Sequence, residues 1–169
     1  MRAVDTAVRR DVPARPDTGL DPKAVTAISE ALTTLLAGMF ALYVKTKNFH
    51  WHISGPHFRD YHLLLDEQSA QILGATDPIA ERVRKIGGTT LRSIGHIARI
   101  HRVPDSGDET IGARDMLAEL LADNQSLVGN LRDVHALCDQ HGDVASASLI
   151  ENWIDEAEQR VWFLAEMAK

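Results

Sequence analysis

Residues that staple, kink or loosen a backbone are scarce in this chain of 169 residues, with one cysteine, six prolines and eleven glycines. Cys138 has no internal partner for a disulfide, so the chain is expected in a reducing compartment, the cytoplasm, with Cys138 as a buried, inert thiol. Aromatic residues make up only 5% of the chain. With so little glycine, proline and aromatic content, helices are favoured over a strand-rich fold. No run approaches the eighteen consecutive apolar residues of a membrane span. The N-terminus lacks the apolar stretch of a secretory signal. Positive charge is also in short supply. The net charge of −6 means that the body of the protein should repel nucleic acid.

What is present fits one soluble globular domain, with 44% hydrophobic and 25% charged residues. Residues 1–20 stand apart as an N-terminal arm, in which Arg2, Arg9, Arg10 and Arg15 oppose Asp5, Asp11 and Asp17 around Pro13 and Pro16. The arm reads either as a plain terminus or as a DNA contact. Residues 21–169 carry helical periodicity. Apolar residues recur at three- and four-residue steps from Val25 to Tyr43, in a helix expected from about Asp21 to Trp51 and stopped by Gly55-Pro56. A second helix is expected from about Phe58 to Ile86, ending at Gly87-Gly88. Pro78 should kink it, or make it restart with Asp77 as its cap. A short amphipathic helix is expected within residues 89–101. Long helices follow from about Ile111 to Gln140 and from about Val144 to Met167. Two helical hairpins joined by a long crossover make an all-α, ferritin-like four-helix bundle, with a short extra helix between helices 2 and 3.

The eight histidines are unevenly spread, and His50, His52, His57 and His62 crowd around the first turn. His62 and Asp66 lie four apart, as do Asp77 and Glu81, so each pair shares a helix face. From Asp66 to Asp77 is eleven residues, close to three turns, which puts both pairs on one stripe. They cannot all reach one metal, because eleven residues of helix rise about 16 Å whereas metal–ligand bonds are near 2 Å. Two copies of the helix packed antiparallel about a two-fold axis would join unlike half-sites. The expected sphere is His50, His62 and Asp66 from one chain with Asp77 and Glu81 from the other. Such mixed imidazole and carboxylate donors suit Fe(II), Mn or Zn. The plainer alternative is two solvated pairs on an exposed face. An intramolecular di-iron bundle needs Glu-x-x-His, which occurs nowhere in this chain.

Three segments carry a family resemblance: Lys47-Asn-Phe-His-Trp-His-Ile-Ser-Gly-Pro-His-Phe58, Tyr61-His-Leu-Leu-Leu-Asp-Glu67, and Asp77-Pro-Ile-Ala-Glu-Arg82 before Gly87-Gly88. From about residue 22 to the ending Trp162-Phe-Leu-Ala-Glu166, the chain resembles the Dps proteins, the miniferritins named as DNA-binding proteins from starved cells. The resemblance implies a hollow dodecamer with iron bound at two-fold interfaces by His50, His62, Asp66, Asp77 and Glu81. It implies a ferroxidase that oxidises Fe(II), with hydrogen peroxide as preferred oxidant, and stores ferric mineral, so protecting DNA. It assigns Trp51 to the site's surroundings, as a trap for stray oxidising equivalents or as an interface aromatic.

Some features depart from the family pattern. His52 stands where many members have asparagine, and His57 is extra; both read as surface histidines. His96, His101, His135 and His141 show no paired spacing. Asp139 and Asp143 fit turn chemistry better than an acidic pore. The arm has no lysine, whereas DNA-binding members often carry lysine-rich tails. The rival reading is a nucleoid-associated, DNA-compacting protein with a secondary metal site, and a shell occupied by zinc or manganese is a third.

Overall fold

In the computed structural model, the described residues are 18–107 and 109–167, so the arm expected over residues 1–20 lies almost wholly outside them. Five helices occur in chain order: α1 (Pro22–His52), α2 (Phe58–Lys85), α3 (Ile94–Ile100), α4 (Ala113–Gln140) and α5 (Val144–Met167). There is no strand among the described residues. The four long helices and the short α3 in the crossover match the expected architecture.

Local chemistry explains the boundaries. Asp21 caps α1 by accepting from the Lys23 N–H at 2.8 Å, and Pro22 fills the first turn, where its missing N–H costs nothing. At the end of α2, the Gly88 N–H donates to the Val83 carbonyl and the Gly87 N–H to that of Arg84. After α4, the Asp143 N–H donates to Cys138 and the Gly142 N–H to Asp139. Both pairs are Schellman closures, with Gly87 at φ 89° and Gly142 at φ 70° supplying the left-handed residue. Gly88 is needed for another reason. A Cβ there would lie 2.0 Å from Ser29 Oγ and 2.7 Å from Ser29 Cβ, so the turn presses directly on α1.

The expected restart at Pro78 does not occur, because α2 runs continuously through it. Pro78 and Gly74 both lie on the solvent face. The Gly74 carbonyl that proline leaves without a donor is therefore solvated, and the glycine offers no side chain to the ring.

α1 packs along α2 and α4 along α5, α1 also meets α4 and α3, and α2 meets α5. Ile28, Leu32, Leu36, Met39, Leu65, Ile72, Ile79, Leu117, Leu120 and Ile150 form the fully buried centre. α1 has a mean hydropathy of 1.6 over its most apolar window, enough for a membrane span by composition, but half of that window is buried in the bundle. Two polar clamps close the ends. Buried Lys45 reaches Asp123 at 2.7 Å, Glu119 at 3.0 Å and the Pro104 carbonyl at 3.1 Å, tying the crossover to α1 and α4. Asp143 caps α5 by accepting from the Ser146 N–H and receives Arg82 of α2 at 2.5 Å.

Asp143 is only 3% exposed, so removing its carboxylate strands the Arg82 charge and the α5 cap together. Asp143→Ala should lower unfolding stability by about 3–5 kcal/mol in a denaturant titration. A change below about 0.5 kcal/mol, the usual scale of a surface substitution, would show that the clamp does not hold the helix ends.

Candidate metal centre

The first half-site is built where α1 ends and α2 begins. The His50 and His62 rings stack with centroids 3.8 Å apart and planes 22° apart. His50 Nδ1 lies 2.8 Å from the His62 carbonyl, and His62 Nδ1 lies 2.9 Å from the His50 carbonyl. A carbonyl oxygen only accepts, so each Nδ1 must carry the proton. In the neutral ring, Nε2 then holds a free lone pair, the state a metal ligand needs. His50 is 8% exposed, and burial in this reciprocal arrangement fixes its ring.

Asp66 follows one turn after His62. Its Oδ1 lies 3.9 Å from His50 Nε2 and accepts from Lys47 Nζ at 2.7 Å. The hydrogen bond and charge of Lys47 hold the Asp66 carboxyl below its ordinary value. The separation of 3.9 Å is close to what two donors on one metal span with bonds near 2 Å.

The second half-site lies farther along α2. Asp77 and Glu81 are both exposed, and Glu81 accepts from Lys85 at 2.8 Å. The hydrogen bond and charge of Lys85 lower the Glu81 carboxyl below its ordinary value. With α2 continuous, Asp66 and Asp77 are separated by about 16 Å of helix. The fold thus stacks His62 on His50 and sets Asp66 3.9 Å from His50 Nε2, and it leaves Asp77 and Glu81 apart. Among the described residues, no group of three or more ligating side chains could hold a metal ion within this one chain.

Trp51 is 64% exposed beside His50, and Val44, Phe58, Leu63 and Leu73 are also exposed on α1 and α2. His52 Nδ1 donates to the Asn48 carbonyl, 2.8 Å away, and the ring remains at the surface. His57 is exposed and left-handed, at φ 64°.

Several contacts were not anticipated. Lys47 crosses the turn to Asp66, a pairing with no fixed sequence spacing. Lys85 bonds Glu81 at a spacing of four that the sequence does contain. His135 sits between Asp139 and Glu151, each at 3.3 Å. Asp143 belongs to the α4–α5 turn, as turn chemistry predicts, and is committed to Arg82 and Ser146.

Comparison with known proteins places this geometry in context. The family description of ferritin-like domains matches residues 29–169. The chain is 32% identical over 145 residues to the DNA protection during starvation protein 1 of Deinococcus radiodurans, covering 86% of this chain and 70% of the relative. The solved structure of DpsC from Streptomyces coelicolor superposes with a TM-score of 0.88 at 27% identity, covering 92% and 91% of the two chains. A Dps protein from Vibrio cholerae, described as a member of the ferritin-like diiron-carboxylate proteins, superposes with a TM-score of 0.86 at 26% identity, covering 92% and 98%.

Nitrogen NMR of the neutral rings should find His50 and His62 both protonated at Nδ1. A dominant Nε2–H form of either would remove it as a ready ligand. In Lys47→Met, the Asp66 carboxyl should titrate nearer its ordinary value of 3.8, followed by its carboxyl carbon shift, while Glu81 stays put.

Proposed function

The chain belongs to the Dps family of ferritin-like proteins, and from this we propose that it is a ferroxidase that binds and oxidises Fe(II) at sites shared between two subunits. The observation that carries the reading is the locked His50–His62 pair, with both Nε2 lone pairs free and Asp66 3.9 Å from that of His50. His50, His62 and Asp66 bind Fe(II) as substrate from one side, and Asp77 and Glu81 of the partner subunit bind it from the other. Two imidazoles and three carboxylates suit ferrous iron, and Zn(II) or Mn(II) would compete for the same donors.

An antiparallel two-fold arrangement of α2 satisfies the 16 Å separation and makes two identical sites per dimer. It also gives exposed Trp51 and the apolar side chains around it something to pack against. Lys47 and Lys85 hydrogen-bond Asp66 and Glu81 and lower their carboxyl pKa, and each must give up its carboxylate as iron arrives.

Hydrogen peroxide is the proposed oxidant. Two Fe(II) each give one electron, the O–O bond breaks, and two protons are taken up to form two waters. No one-electron step then releases hydroxyl radical. Trp51, adjacent to His50, is placed to intercept any oxidising equivalent that escapes. The ferric product would be stored within a closed homo-oligomer, a dodecamer by analogy with the family, in the cytoplasm, and DNA would be protected by the removal of iron and peroxide together. Direct DNA compaction is the weaker reading, because a net charge of −6 per chain opposes it and any contact would rest on the arginines of residues 1–20.

Anaerobic Fe(II) loading followed by peroxide should consume about one peroxide per two irons, as this electron count requires, and Asp77→Ala/Glu81→Ala should abolish the reaction in particles that still assemble. Mixing His62→Ala/Asp66→Ala chains with Asp77→Ala/Glu81→Ala chains should restore one intact site in each mixed dimer. Mixed assemblies with no recovery would rule out shared sites.

A further inference from the structure

Away from the proposed iron site, the groove between α2 and α5 holds a buried cation with no direct ion-pair partner among the described residues. Arg160 is 2% exposed. Its Nε donates to Asn124 Oδ1 at 2.8 Å and one Nη to Gln71 Oε1 at 2.6 Å. Both acceptors are neutral amides. Among the described residues, no carboxylate lies within ion-pair distance of the guanidinium. Glu156, one turn earlier on α5, exerts its charge on Arg160 without pairing with it. A guanidinium has five N–H donors, so these two bonds leave three.

Burial draws the Arg160 pKa down to about 10, the direction expected of a cation taken out of water without full compensation. Buried charges are ordinarily paired, because desolvation costs several kcal/mol per ion. A cavity of about 90 Å³ lies beside this group, lined by Gln68, Gln71, Gln159, Arg160, Leu64 and Phe163, with Glu67 at its exposed edge.

Gln68 supplies a second, independent observation. It is 4% exposed, and neither its amide nitrogen nor its amide oxygen has a hydrogen-bond partner. An unsatisfied buried amide costs about 1–3 kcal/mol, so two orphaned atoms beside an orphaned charge call for a common partner. Water could satisfy the N–H groups but not the charge. A small anion with oxygen acceptors serves the guanidinium and the Gln68 N–H, while the Gln68 amide oxygen, itself an acceptor, is met by a protonated anion oxygen or a co-bound water.

We propose that this cavity between α2 and α5 is a binding site for a small oxyanion, held by the Arg160 guanidinium and the Gln68 amide. Its volume admits several waters or one phosphate-sized ion, given that a water needs on the order of 10–15 Å³ of such space. A nucleotide does not fit. Leu64, which is buried, and the partly exposed Phe163 supply the cavity's apolar walls. Glu67 at the rim opposes the attraction, which favours anions of low charge and provides a handle that leaves the core intact.

The test is isothermal titration of the iron-stripped assembly with inorganic phosphate, and separately with acetate, at ionic strength held constant with sodium chloride. Removing iron first prevents ferric ion from binding the anion. Saturable binding at one site per chain is expected. It should be weakened about tenfold or more in Gln68→Leu, which loses a donor to the anion, and lost in Arg160→Gln. Glu67→Gln should tighten it several-fold. If Arg160→Gln fails to assemble, the other two variants decide the matter. The two arms tell a phosphate site from a carboxylate site. No saturable binding of either anion would overturn the proposal, as would binding that neither Gln68→Leu nor Glu67→Gln changes.

Discussion

Two imidazole N–H groups, each donating to the other residue's backbone carbonyl, bind the last turn of α1 to the first turn of α2. This exchange bridges the sharp turn at Gly55 and Pro56, sets the rotation of α2 about its axis at its origin, and leaves both Nε2 atoms free. Everything that follows on α2 inherits that rotation. Asp66 comes one turn later beside His50, and Asp77 and Glu81 fall on the same stripe about three and four turns along. A helix is a rigid ruler at 1.5 Å per residue. The same geometry that aligns the four α2 donors therefore forbids them to meet within one chain.

The remote end of α2 is held as firmly as its start. Arg82, next to Glu81, is tied to Asp143 and Ser146 at the head of α5, and Gly88 presses against Ser29 of α1. These contacts leave the carboxylates of Asp77 and Glu81 turned outward on a fixed backbone. Lys47 and Lys85 then act electrostatically, each lowering the pKa of one carboxylate of the proposed half-sites. The polar groups buried elsewhere follow a different rule. Lys45 is matched by two carboxylates and a carbonyl, whereas Arg160 meets only amides. That contrast within one bundle is what singles out the α2–α5 groove.

Much of this was legible in the chain itself. Apolar residues at helical spacing marked the long helices to within a few residues, and Gly55-Pro56, Gly87-Gly88 and Gly142 marked their ends, because turn chemistry is local. The spacing of His62, Asp66, Asp77 and Glu81 was equally readable, since a helix converts sequence distance into angle and rise. Of the two outcomes expected at Pro78, a kink or a restart, the restart does not occur, and the carbonyl of Gly74 that the proline leaves without a donor lies on the exposed face.

Sequence alone determined the helical class, the bundle order and the rise of about 16 Å that separates the two pairs of the proposed ligand stripe, all of which follow from periodicity and rise within single helices. Tertiary structure decided the tautomer of His50 and His62, the capture of Asp66 by Lys47, the clamp from Arg82 to Asp143, and the uncompensated charge of Arg160. Each of these depends on which side chains meet across helices. No spacing along the chain encodes such meetings, because they arise only when the packed core fixes how each helix is turned toward its neighbours.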